Sequence, residues 1–119
     1  MGILANHLPQ SKRDELKNVV NVICQNCDDV EKIILFGSYA RGDYKEAKDL
    51  KENRRSGHIS DYDILVVTSK KDTAVDSILW KKISEACKSL NLSAYTKIIT
   101  HDIEALNIKL AESQYFYSD

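Results

Sequence analysis

The sequence predicts a small α/β (α+β) domain built on a mixed β-sheet flanked by helices, on three observations. Apolar runs of strand length alternate with segments of helical period. The chain has 119 residues, 43% hydrophobic and 29% charged, which suits a single domain with a core of its own. The elements read helix, strand, turn and insert, strand, helix, strand, helix. This composition excludes collagen-like, mucin-like and fully disordered chains. A net charge of −1 and a pI near 6.3 leave no broad basic footprint for duplex DNA. No apolar run approaches the ~18–20 residues of a membrane span, and the first ten residues lack a secretory apolar stretch. Met1-Gly2 begins like a myristoylation site, but position 6 is Asn. Three cysteines, Cys24, Cys27 and Cys87, are too few and odd in number for a disulfide framework, so a cytoplasmic location is expected. Cys24 and Cys27 match C-x-x-C, yet no second pair accompanies them and they end a helix instead of following a strand, which disfavours zinc or redox chemistry.

The first helix is expected over residues 12–27. Ser11 and Asp14 resemble a capping box, Leu16, Val19, Val20 and Ile23 recur at helical spacing, and Asp28-Asp29 breaks the pattern. Residues 30–36 form a strand whose Ile33-Ile34-Leu35-Phe36 run suits a central position covered on both faces. It ends in Gly37-Ser38-Tyr39-Ala40-Arg41-Gly42, a tight turn with a short helical start.

Residues 43–58 are a charged insert, with only Tyr44, Ala47 and Leu50 apolar, and Lys45/Asp49 and Lys48/Glu52 spaced for helical ion pairs. A surface loop is the default reading; a lid or partner surface is the other. Residues 59–68 form the second strand, 73–90 a helix with Val75, Ile78, Leu79, Trp80, Ile83, Ala86 and Leu90 on one face, stopped by Asn91. Residues 93–100 give the third strand and 102–111 the last helix. The aromatic end, Gln114 to Asp119, reads as a chain cut from a longer protein or a tail that docks on a partner. Residues 1–119 are thus one domain with an insert.

Asp61 and Asp63 lie two apart on an otherwise apolar strand, so both carboxylates face one side while Tyr62 and Ile64 face the other. Two such carboxylates repel unless a positive charge sits between them. Hard oxygen ligands on a rigid strand suit Mg²⁺, although an acidic strand end is the commoner meaning of D-x-D alone. Gly37-Ser38 after an apolar strand brings backbone and a hydroxyl close to a ligand's phosphates. It is neither a Walker loop nor a dinucleotide fingerprint.

Together, G-S-Y-A-R-G after one strand and S-D-Y-D opening the next resemble the nucleotidyltransferase superfamily of polymerase β type, and within it the minimal nucleotidyltransferases with G-S-x-A-R-G and S-D-x-D. The resemblance implies that Gly37 and Ser38 hold the β- and γ-phosphates of a nucleoside triphosphate. It implies that Asp61 and Asp63 bind two Mg²⁺ ions, one activating the attacking hydroxyl and one stabilising the triphosphate and leaving pyrophosphate. Arg41 either neutralises phosphate charge or caps the turn by pairing with Asp43. The implied reaction moves a nucleoside monophosphate, with ATP the expected donor, to a hydroxyl acceptor. Such domains often accompany a helical HEPN partner, in the same chain or as a toxin–antitoxin pair.

Two departures stand out. The insert separates Gly37 from Asp61 by an unusual distance in chain order. The family usually supplies a third carboxylate from a later strand, and here residues 93–100 hold no acid. Asp102 and Glu104 lie just past its end, and Asp102 reads equally as a helix N-cap. Loss of the third acid leaves an alternative function: a catalytically degenerate, antitoxin-like module that binds nucleotide or a partner. His58 and His101 flank the pocket in sequence, with solvated loop histidines the simpler reading; His7 carries no signal.

Overall fold

The computed structural model describes residues 2–46 and 59–111, with side chains described as far as Asn107. The first helix, α1, is Gln10–Asn26. It starts earlier than the Ser11 capping box implies, because Pro9 sets the start: its carbonyl accepts from the amides of Lys12 and Arg13, both at 3.0 Å. Asp14 instead accepts from the Gln10 side chain at 2.8 Å. The expected apolar face is buried, joined by Lys12.

Strand β1 is Val30–Phe36, and Gly37–Arg41 forms a single helical turn, α2, closed by Gly42 in the left-handed conformation. Strand β2 is Tyr62–Thr68, β3 is Thr96–Asp102, and the sheet order is β1-β2-β3. β1 runs antiparallel to β2, and β2 parallel to β3, so the sheet is mixed as expected. The central strand is β2 rather than β1, which lies at an edge. Alternation along β2 explains its apolar run: Tyr62, Ile64 and Val66 enter the main core with α1. Leu65 and Val67 enter a second cluster with Ile34, Phe36, Ile99 and Leu106 on the opposite face.

The parallel β2–β3 connection needs a crossover. It is made by two helices, α3 Lys71–Ala74 and α4 Ser77–Lys88, where the periodicity suggests one. Asp76 restarts the helix by accepting from the Leu79 amide at 3.0 Å. The break rotates the two segments, so Val75 and Ile78 are 66% and 82% exposed instead of facing the core. Trp80, Ile83 and Cys87 do face it, and the Trp80 indole donates to the Thr73 carbonyl at 2.8 Å, tying α3 to α4. Asn91 takes a left-handed φ of 54°, which explains the stop after α4.

The last helix, α5, is Ile103–Ala111. The Asp102 carboxylate accepts from the amides of Glu104 at 3.2 Å and Ala105 at 3.3 Å, the capping role. No helix among the described residues is long and apolar enough to cross a membrane.

Candidate functional site

The site forms where β1 ends, β2 begins and β3 begins. Antiparallel register sets Phe36 opposite Asp63, so the chain leaves β1 at Gly37 directly beside that carboxylate. Gly37 has φ +75°, and a Cβ added there would overlap Asp63 Oδ2 and come within 3.2 Å of its Cγ. Only glycine meets both demands, a left-handed backbone and a bare surface against a carboxylate. The Gly-Ser turn and the acidic pair, remote in sequence, therefore meet in space. Ser38 follows as the second residue of α2, and its carbonyl accepts from the amides of Gly42 at 2.8 Å and Asp43 at 3.1 Å.

Asp61 precedes β2 by one residue and acts on the Asp63 carboxyl. Burial pushes the Asp63 carboxyl above the ordinary range; Lys97 pulls it down, Asp61 pushes it up, and Arg41 pulls it down. The net direction is upward, so partial burial beside a second acid outweighs two cations. Arg41 also pairs with Asp43, Nε to Oδ1 at 3.4 Å, both side chains largely exposed.

Lys97 escapes sequence reading. Parallel register places it opposite Asp63, and alternation puts both on one face, with Leu65 and Ile99. A lysine in a strand carries no motif; only register reveals that it stands opposite Asp63. The same register moves Asp102 and Glu104 away from the site. Asp102 lies opposite Thr68, five residues along β3 from Lys97, roughly 16 Å at about 3.3 Å per residue. His101 lies opposite Val67, also toward that end. His58 and residues 114–119 lie outside the described residues, as does the insert from 47 to 58.

On the opposite face, Tyr62 anchors the acidic strand. Its hydroxyl donates to Glu15 Oε1 at 2.6 Å, and Glu15 also accepts from the Ser93 hydroxyl at 2.7 Å and amide at 2.9 Å. Burial raises the Glu15 carboxyl, but these hydrogen bonds more than offset it, and the net direction is downward. Tyr39 stacks on Tyr44 at 4.2 Å and lies 4.5 Å from Tyr62. Burial pushes the Tyr39 hydroxyl up to about 12. Buried Lys12 bonds Ser93 Oγ at 2.6 Å and pairs with Glu46 at 3.3 Å. The insert leaves and returns at one point, because the Lys45 amide donates to Ser60 Oγ at 2.8 Å and the Ser60 amide donates to the Lys45 carbonyl at 2.9 Å. A cavity of about 1140 Å³ opens beside Asp61, lined by Ile59, Lys88, Asn91 and the 74% exposed Tyr95 among others.

Two carboxylates separated by one residue at the start of a strand fit a hydrated Mg²⁺, which takes one or two carboxylates and keeps several waters. Among the described residues no three His, Cys, Asp or Glu side chains form a metal cluster. Cys24 is exposed, Cys27 and Cys87 are buried and free, and burial pushes Cys27 up to about 11, which suits packing rather than redox chemistry.

A family model described as polymerase beta, nucleotidyltransferase matches residues 18–114. The matched span holds the Gly37 turn, both aspartates and β3. No curated protein and no solved structure matches the chain.

Proposed function

The chain belongs to the nucleotidyltransferase family of polymerase β type, and from that premise we propose that it moves a nucleoside monophosphate from a nucleoside triphosphate, ATP first among donors, onto a hydroxyl acceptor. The observation that carries this reading is the approach of Gly37 to Asp63, which brings the backbone of the Gly-Ser turn against the acidic strand. Gly37 and Ser38 hold the terminal phosphates. Arg41, on the turn that follows them, adds positive charge to them. Asp61 and Asp63 hold Mg²⁺, which when bound supplies Lewis-acid neutralisation of phosphate charge. The cavity beside Asp61 is wide enough for the rest of the nucleotide or for the acceptor, and Tyr95 offers an aromatic face there. The hydroxyl acceptor and a helical HEPN-type partner belong to the same proposal.

A second reading, nucleotide binding without transfer, is favoured by Lys97, which stands opposite Asp63 on the strand where the family usually carries its third carboxylate. One experiment separates the two. Under the first reading, Mg²⁺ and ATP raise the melting temperature, pyrophosphate is released in the presence of acceptor, and Asp61→Ala or Asp63→Ala abolishes release. Stabilisation without pyrophosphate supports the second. If ATP with Mg²⁺ neither stabilises the protein nor yields product, both are wrong.

A further inference from the structure

We propose that Lys97 is a built-in cation of this site, so that the Asp61–Asp63 pair takes one divalent ion where two were expected. The nucleotide part of this inference rests on the function proposed above; the metal count does not.

The argument starts from register. Adjacent strands lie about 4.8 Å apart, and residues paired across them project from the same face. Lys97 is paired with Asp63 and therefore stands on the strand position beside the carboxylate that packs against Gly37. It is exposed, and its flexible stem is long enough to bring the ammonium to a ligand at that edge.

No other described acid is placed to complete a two-ion site. Glu15 is held on the opposite face by Tyr62 and Ser93. Asp43 pairs with Arg41, Glu46 pairs with Lys12, and Asp102 caps α5 at the far end of β3. A second divalent ion would face an ammonium instead of a carboxylate.

Charge balance leads the same way. Asp61, Asp63 and the Arg41-paired Asp43 are met by Lys97 and Arg41, leaving a formal charge of only about −1 in the apo site. A single divalent ion then already makes the site positive, as a polyphosphate requires. Lys97 meets phosphate as a point charge, the usual role of lysine in such sites.

The test counts ions on the intact chain. Mn²⁺ binding is followed by electron paramagnetic resonance and calorimetry, with and without a non-hydrolysable ATP analogue, for the natural protein, Lys97→Asp and Lys97→Asn. With the analogue, the natural protein should bind one Mn²⁺ and Lys97→Asp two. Without it, Lys97→Asp should bind Mn²⁺ at least about tenfold more tightly than the natural protein, since a repulsive neighbour becomes a ligand. Lys97→Asn, which only removes the cation, should show a smaller gain and weaker analogue binding. Two ions in the natural protein, or equal Mn²⁺ affinity in all three proteins, overturns the proposal. If the analogue binds none of them, the nucleotide reading fails, and the Mn²⁺ affinities still decide the role of Lys97.

Discussion

Replacing Gly37 with alanine puts the convergence of turn and acidic pair to a quantitative test. Two costs add at this position. An L-residue held at φ +75° loses about 1–2 kcal/mol against its preferred conformations. The new methyl also overlaps the Asp63 carboxylate, with Cγ at 3.2 Å and Cβ at 3.3 Å. Relieving such overpacking costs typically about 1–3 kcal/mol. The sum, about 2–5 kcal/mol, is a large share of the roughly 5–15 kcal/mol of a typical domain.

Gly42 is the internal control: its φ is +95°, but nothing lies within 4 Å of an added Cβ. Gly42→Ala should therefore cost only the backbone part, about 1–2 kcal/mol. The gain from a stiffer unfolded chain applies to both glycines and cancels in the comparison. Urea denaturation measures each variant. Adding Asp63→Ala to Gly37→Ala removes the overlapping oxygen and should recover about 1–3 kcal/mol relative to additivity, a coupling expected only of touching residues. Equal losses at the two glycines, together with no coupling to Asp63, would refute the claim that the turn presses on the carboxylate.

Two further outcomes follow from the charges around the site. Burial holds Asp63 above its ordinary value of 3.8, so the folded protein binds that proton more tightly than the unfolded chain. Its stability contribution is present at low pH and is lost as pH rises from near 3.8 through the folded value. Asp63→Asn should consequently be more stable than the natural protein at neutral pH, with the advantage shrinking in acid; urea midpoints across pH read this, and a neutral-pH loss contradicts it. Tyr62→Phe removes the 2.6 Å hydrogen bond to Glu15 and should cost about 1.5–3 kcal/mol at neutral pH. Because Glu15 is held below its ordinary value of 4.5, that cost should fade as pH drops through its folded value, whereas a pH-independent loss would point to packing alone.

The lesson of the sequence is clearest at β2. Asp61, Asp63 and the apolar run behind them were legible because alternation is a local property, and a strand that holds two acids on an apolar background is conspicuous. Gly37 was legible because a strand ending in Gly-Ser must turn at once. Edge or central position was not, since Ile33 to Phe36 is as apolar as Ile64 to Val67 and only pairing distinguishes them. The split at Val75-Asp76 was hidden because Asp76 caps a helix only when the chain enters at the right angle. Glu15 and Lys12 gave no signal: charged residues on a helix usually face water, and here the hydroxyls of Tyr62 and Ser93 satisfy them inside.

Residue types and short-range spacing alone marked most of the elements, the family and the candidate residues Gly37, Ser38, Asp61 and Asp63, because those depend on periods of two to four residues. Which groups stand beside those atoms was left to the tertiary fold. Strand register is a long-range choice, and a parallel alignment of β3 on β2 sets Lys97 next to Asp63 and removes Asp102 to the other end of the sheet. The charges that stand beside Asp63 are a consequence of that alignment.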